Sequence, residues 1–214
     1  MSEPIRVLLV EDHLITRIGL RMILQSAQNL SIVDEADDGQ KALDKALALK
    51  PQVVLMDIGL PLLDGVECAR RIKLSNPNIG ILVRSSHEEA RTVLDALNAG
   101  CDGYCLKDST DDVLIRAISV VAVGRIWIDP RIAALLLNYA LRPEPGPLRR
   151  YTAAGSTASA LALDEIDLLT NLSAGNTYPR QPQGVESDGD ATHGEPSQHS
   201  EILRRALQKL AALS

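Results

Sequence analysis

The sequence predicts an α/β fold: a doubly wound, five-stranded parallel sheet with helices on both faces, followed by a small, partly disordered α-helical region. Three observations predict it. Residues 5 to about 123 alternate strictly between short apolar runs and segments whose apolar residues recur at helical spacing, which is the pattern of five βα units. The runs are apolar on consecutive positions, as in Val53-Val54-Leu55-Met56, and a strand covered on both faces belongs between helices in a parallel sheet. Four of the runs end in polar residues capable of chemistry: Glu11 and Asp12, Asp57, Ser85 and Lys107. Right-handed crossovers bring the carboxyl ends of all strands to one edge, where such sheets bind ligands.

The elements follow in order. Ile5 to Val10 is a buried strand interrupted only by Arg6. Leu14 to Ala27 is a helix, with Ile15, Ile18, Leu20, Met22 and Ile23 as its apolar residues and Arg17 and Arg21 on its wet side. Ser31 to Ala36 is a short strand before the turn signal Asp37-Asp38-Gly39. Gln40 to Leu49 is helical and closed by Pro51. Val53 to Asp57 is the third strand, and Asp64-Gly65 opens a helix over Val66 to Leu74. Ile79 to Arg84 is a strand, Glu88 to Asn98 a helix stopped by Gly100, Cys101 to Leu106 a strand, and Thr110 to Val123 a helix. Gly124 to Asp129 reads as a short extended link. Asp129-Pro130 then starts a helix to about Arg142.

Composition narrows the function classes. The formal net charge of −6 gives no bias toward nucleic acid. With no Phe and one Trp, the chain has little to stack on bases. Cys68, Cys101 and Cys105 are odd in number and lack metal-knuckle spacing; Cys101 and Cys105 are expected to share one face as small buried residues, in a reduced, cytoplasmic compartment. No apolar run approaches a membrane span, and the N-terminus has no signal-peptide pattern.

Taken alone, Asp57 reads as readily as a helix or loop cap as it does as a residue of chemistry, a metal ligand or a nucleophile. Convergence changes this. Three carboxylates at one edge stay ionised only beside a cation, and a hard ion with oxygen ligands, Mg²⁺, fits. Lys107 adds a point charge suited to a phosphoryl oxygen, and Ser85 a hydroxyl. His13 and His87 read as solvated rim residues with no buried acid to form a hydrolytic triad. The set suits phosphoryl transfer, with Asp57 as nucleophile forming an aspartyl phosphate. The bland readings are helix caps for Asp12 and Ser85 and a core tyrosine for Tyr104.

These residues carry a resemblance. Glu11-Asp12, Met56-Asp57-Ile58-Gly59-Leu60-Pro61 with Asp64-Gly65, Ser85, and Gly103-Tyr104-Cys105-Leu106-Lys107-Asp108 resemble the receiver domain of two-component response regulators, most closely the NarL/FixJ branch. The resemblance implies a flavodoxin-like receiver over residues 1–123. It implies Asp57 as phosphoacceptor and Mg²⁺ held by Glu11, Asp12, Asp57 and the Gly59 carbonyl. Lys107 would be the phosphoryl clamp, Ser85 and Tyr104 the switch pair, and a histidine kinase or phosphotransfer protein the partner. Arg84 departs from the branch, which has an apolar residue there; it would either reach the exposed end of the sheet or alter the switch surface.

The second half is expected to hold a linker over 124–150, including the helix at about 130–142, and a LuxR-type helix-turn-helix region over 151–214 that is degenerate. Leu163 to Gly175 is similar to that domain's first helix and closing glycine, and Leu203 to Leu210 to the end of its recognition helix. Residues 176–199, rich in Pro and Gly, are expected to be disordered. From Pro143 to Ser214 there are six Lys/Arg and nine Asp/Glu, whereas a DNA reader needs a basic face. Arg204, Arg205 and Lys209 are the candidate phosphate contacts. Three functions follow: a phospho-switched DNA-binding regulator; a receiver acting through protein contacts or as a phosphate sink; and a phosphohydrolase, disfavoured because Gly59 stands where a second acid is needed. A homodimer stays open, and no enzymatic turnover beyond self-catalysed phosphoryl acceptance and loss is expected.

Overall fold

A computed structural model describes residues 3–140, 163–175 and 178–179, together with residues 202, 205, 206 and 209. Its elements are β1 (Ile5–Val10), α1 (Leu14–Ser26), β2 (Leu30–Ala36), α2 (Gly39–Leu49), β3 (Val53–Met56), α3 (Gly65–Ser75), β4 (Gly80–Ser85), α4 (Ala90–Asn98), β5 (Gly103–Leu106), α5 (Asp111–Ala122), β6 (Arg125–Ile128), α6 (Pro130–Ala140), α7 (Leu163–Ser173) and β7 (Tyr178–Pro179). The sheet order is β2-β1-β3-β4-β5-β6-β7. The first six strands are parallel and β7 is antiparallel to β6. Because β1 lies between β2 and β3, the strand order reverses there. The crevice outside the carboxyl ends of β1 and β3 is therefore the natural ligand site.

Strand alternation divides the core into two layers. Leu8, Val10, Val54, Met56, Ile81, Val83, Tyr104 and Leu106 face α2, α3, α4, α6 and α7. Val7, Leu9, Val53, Leu55, Leu82 and Cys105 face α1 and α5. Each fully buried Leu, Ile or Val contributes about 1.5–3 kcal/mol, so the central strands anchor the fold and hold their end residues in fixed register.

Four expectations need correction. The sheet has a sixth parallel strand: Arg125–Ile128 is not a link but pairs with β5, Gly103 beside Trp127 and Tyr104 beside Ile128. Gly124, at φ +72°, makes the tight turn from α5 that permits it. On α1 the buried face is Leu20 and Leu24, while Ile15, Ile18 and Met22 are exposed. Cys101 and Cys105 do not share a face. The strand starts only at Gly103, so Cys101 packs in the α2–α4 layer and Cys105 in the α1–α5 layer. Burial pushes the Cys101 and Cys68 thiols up to about 12, which keeps both protonated and unreactive. Lastly, Tyr178–Pro179, inside the stretch expected to be disordered, pairs with Ile126 and Arg125. The rest of 176–199, the linker residues 141–150 and residues 151–162 lie outside the described residues.

Candidate functional site

The β-ladder places the acids. The Glu11 amide donates to the Ala36 carbonyl and the Asp57 amide to the Val10 carbonyl (both 3.1 Å), so both residues continue their strands by one position. Carboxylate oxygens of Glu11, Asp12 and Asp57 lie within 4.8 Å of one another. Glu11 is 2% exposed. Lys107 spans the cluster: its Nζ donates to Asp57 Oδ2 at 2.6 Å and to Glu11 Oε2 at 3.3 Å. Burial alone would lower the Lys107 pKa, but hydrogen bonds and charges from Asp57 and Glu11 outweigh it and hold the ammonium above its ordinary value. One lysine faces three carboxylates, so the cluster retains excess negative charge.

Asp12 and Ser85 do not act as helix caps. His13 occupies the N-cap of α1 and Glu89 that of α4, and neither position involves Asp12 or Ser85 in a side-chain capping bond. Asp57 Oδ1 accepts from the Ile58 amide at 2.7 Å, which orients the carboxylate. The loop after it is closed by Asp64, whose Oδ1 caps α3 through the Val66 amide at 2.9 Å. Gly65 is required here: a Cβ would stand 2.5 Å from the Asp57 carbonyl oxygen and 2.8 Å from that of Ile58. Gly59 lies exposed in the same loop. Ser85 is fully buried; its Oγ accepts from the His87 amide at 3.1 Å. Tyr104 is also fully buried, and its hydroxyl donates to the His87 carbonyl at 2.8 Å. Burial pushes the Tyr104 hydroxyl up, opposed by its bond with Ser85. The two expected switch residues thus meet on the loop after β4. His13 and His87 are exposed.

Arg84 is half-buried and reaches the carboxyl end of the sheet, just past the last residue of β5. Its Nη2 donates to the Lys107 carbonyl at 2.6 Å, and among the described residues its buried Nη1 has no hydrogen-bond partner. It holds the backbone of the residue carrying the lysine. Sequence reasoning missed a further residue at this edge, Asp129. It is the first polar residue after the apolar run Ile126-Trp127-Ile128, so the rule that singled out Asp57 also identifies it once β6 is recognised as a strand. Asp129 is 4% exposed and accepts from Ser109 Oγ at 3.0 Å.

Of the three candidate phosphate contacts in the tail, Arg204 lies outside the described residues. Lys209 Nζ donates to both carboxylate oxygens of Glu165 (2.8 and 2.9 Å), and Arg205 Nε lies 3.8 Å from the same group. Glu165 is fully buried on α7, and a buried carboxylate needs such partners. Among the described residues, no helix is long and apolar enough to cross a membrane.

Comparison with known proteins agrees with this geometry. Residues 7–119 match the model of the response regulator receiver domain. The chain is similar to the transcriptional regulatory protein LnrK of Bacillus subtilis, 34% identical over 134 residues, covering 63% of this chain and 61% of that protein. It is also similar to the response regulator GacA of Pseudomonas viridiflava, 36% identical over 140 residues and 65% of each. The chain therefore spans less than two thirds of the length of these relatives. Among solved structures, it resembles the signal receiver domain of NarL from Mycobacterium tuberculosis (34% identity, TM-score 0.56, 57% of this chain and 99% of that one). It also resembles a LuxR-family two-component response regulator from Aurantimonas (31%, TM-score 0.63, 65% and 100%). With the receiver model matching more than half its length and relatives of NarL/LuxR type, this chain belongs to the response regulator receiver family.

Proposed function

We propose that this chain accepts a phosphoryl group on Asp57 from a histidine kinase or phosphotransfer protein and uses it to switch its C-terminal output. The observation that carries this reading is the cluster of Glu11, Asp12 and Asp57 within 4.8 Å, spanned by Lys107. Octahedral Mg²⁺ with bonds of about 2.1 Å sets its ligands roughly 3 to 4.2 Å apart, so this all-oxygen set fits with little movement. Glu11, Asp12 and Asp57, with the Gly59 carbonyl, would hold it. When bound, Mg²⁺ would offset negative charge on the transferring phosphoryl oxygens.

The chain's own residues do the rest. An Asp57 carboxylate oxygen bonds to phosphorus as the donor's bond to that phosphorus breaks. Lys107 exchanges its bond to Asp57 for one to a phosphoryl oxygen, and the Ser85 hydroxyl donates to another. Drawing Ser85 toward the phosphoryl loosens its contacts with His87 and Tyr104, which repacks the loop after β4. Water later attacks phosphorus, the bond from phosphorus to the Asp57 oxygen breaks, and inorganic phosphate leaves with the carboxylate restored.

A protein donor must reach Asp57 over the adjoining surface. Leu14, Ile15, Ile18 and Met22 expose an apolar stripe on α1, directly after Glu11-Asp12, and this stripe suits such a partner.

The relatives' names make DNA the first candidate output. A second reading, output through protein contacts or as a phosphate sink, is favoured by the engagement of Arg205 and Lys209 with Glu165 and by the acidic balance of the tail. Titrating the full chain with mixed DNA fragments at low salt, with and without acetyl phosphate and Mg²⁺, separates them. Binding that strengthens on phosphorylation and fades with salt supports DNA; no binding beside full labelling of Asp57 supports the second reading. Failure to label Asp57 would contradict both.

A further inference from the structure

The residues after Lys107 are tied to the sixth βα unit by contacts that the phosphoacceptor chemistry does not use. Asp129, between β6 and α6, bonds to Ser109, Tyr104, Arg131 and Ala133. Its Oδ1 caps α6 through the Arg131 amide at 3.0 Å, and its Oδ2 accepts from Ser109 Oγ at 3.0 Å. Its amide donates to the Tyr104 carbonyl at 2.9 Å. Arg131, the second residue of α6, grips Asp108 with two parallel bonds, Nη1 to Oδ2 at 2.8 Å and Nη2 to Oδ1 at 2.6 Å. It also lies 3.9 Å from Glu88, next to the His87 that bonds Ser85 and Tyr104. From the other side, Arg84 holds the Lys107 carbonyl. Residues 107–109 are thus fastened both to β4 and to α6.

The other face of α6 is packed. Ile132, Ala133 and Leu136 are buried with Leu168, Leu169 and Leu172 of α7 and with α4. From α7, Glu165 reaches Lys209 of the C-terminal stretch. An exposed ion pair by itself contributes little. Arg131–Asp108 is instead bidentate and shares its anchor with a buried carboxylate, whose two oxygens are costly to leave unpaired.

We propose that Asp129 and Arg131 couple the loop carrying Lys107 to α6 and α7, so that occupancy of Asp57 changes the stability of those helices. This rests on the reading of Asp57 as phosphoacceptor. When Lys107 shifts from Asp57 to a phosphoryl oxygen, Asp108 and Ser109 follow, and α6 is displaced or released through its cap and its first-turn arginine.

The test is hydrogen exchange read by mass spectrometry on the full chain, with and without acetyl phosphate and Mg²⁺, with intact-mass labelling measured on the same samples. In the unaltered protein, peptides over 130–140 and 163–173 change exchange rate by roughly fivefold or more on labelling, the lower end of ordinary coupling. In Ser109→Ala combined with Arg131→Gln, that change is lost, while labelling persists. Asp108→Asn breaks the same pair from the other side and diminishes the response of α6 in the same direction as Arg131→Gln. Full labelling with no response of α6 in the unaltered protein, or an undiminished response in the variants, overturns the coupling. Absence of labelling overturns the assignment of Asp57 itself, and the coupling with it.

Discussion

Lys107 contacts two of the three clustered carboxylates, and its neighbours Asp108 and Ser109 contact the next βα unit, so its replacement separates two roles. In Lys107→Ala, acetyl phosphate should still label Asp57, on the order of 10²-fold more slowly, the usual cost of one lost preorganised donor. The exchange response of residues 85–90 should disappear. An unaltered rate with an unaltered response would contradict the clamp role. At this scale the sequence was legible where an apolar strand ends in a polar residue: Glu11, Asp12, Asp57, Ser85 and Lys107 all meet at one edge. Asp129 obeys the same rule and was hidden because its strand, which opens on the exposed Arg125 directly after Gly124, read as a link. The setting of Arg84 was not legible, since nothing local distinguishes a guanidinium running to solvent from one folded onto a carbonyl twenty-three residues away.

At the scale of elements, α1 illustrates how periodicity names a helix without naming its buried face. Apolar residues surround much of α1, and only tertiary packing selects Leu20 and Leu24 for the core. The remaining stripe makes a prediction: Ile15→Glu should reduce phosphoryl transfer from the cognate kinase roughly tenfold, the size of a modest interface hot spot, while acetyl phosphate labelling stays unchanged. Equal loss with both donors would mean the substitution damages the site, and no loss would remove the stripe as a docking face. The wet side of α1 is also engaged. Arg21 binds Glu35 of β2 through both Nε and Nη2, the latter at 2.7 Å, and Arg17 Nε lies 3.4 Å from the same carboxylate. The Arg21 bond, against a smaller opposing effect of burial, holds the Glu35 carboxyl below its ordinary value. A depressed carboxylate stabilises the fold above its unfolded pKa of about 4.3 and loses that effect as pH falls through the folded value. The protein should therefore unfold at higher temperature than Glu35→Gln at pH 7, with the gap closing below pH ~4. Parallel melting curves across that range would contradict the pairing.

For the whole molecule, alternation of apolar runs and helices was enough to place five strands and the site, because crossover handedness leaves one arrangement of strand ends. The attachment of the tail was not legible. The pairing of β7 with β6, the packing of α7 on α6 and the burial of Glu165 all join residues distant in sequence, with no local signal at either end. The receiver and the described part of the tail therefore share one core layer. Everything assigned to the output depends on chemistry at Asp57, so the most direct measurement is intact-mass analysis after incubation with acetyl phosphate. The account predicts one phosphoryl group per chain, dependent on Mg²⁺ and abolished by EDTA, labile to hydroxylamine as an acyl phosphate is, and absent in Asp57→Ala. Labelling that persists in Asp57→Ala, or a protein that takes up no phosphoryl group with Mg²⁺ present, would contradict it.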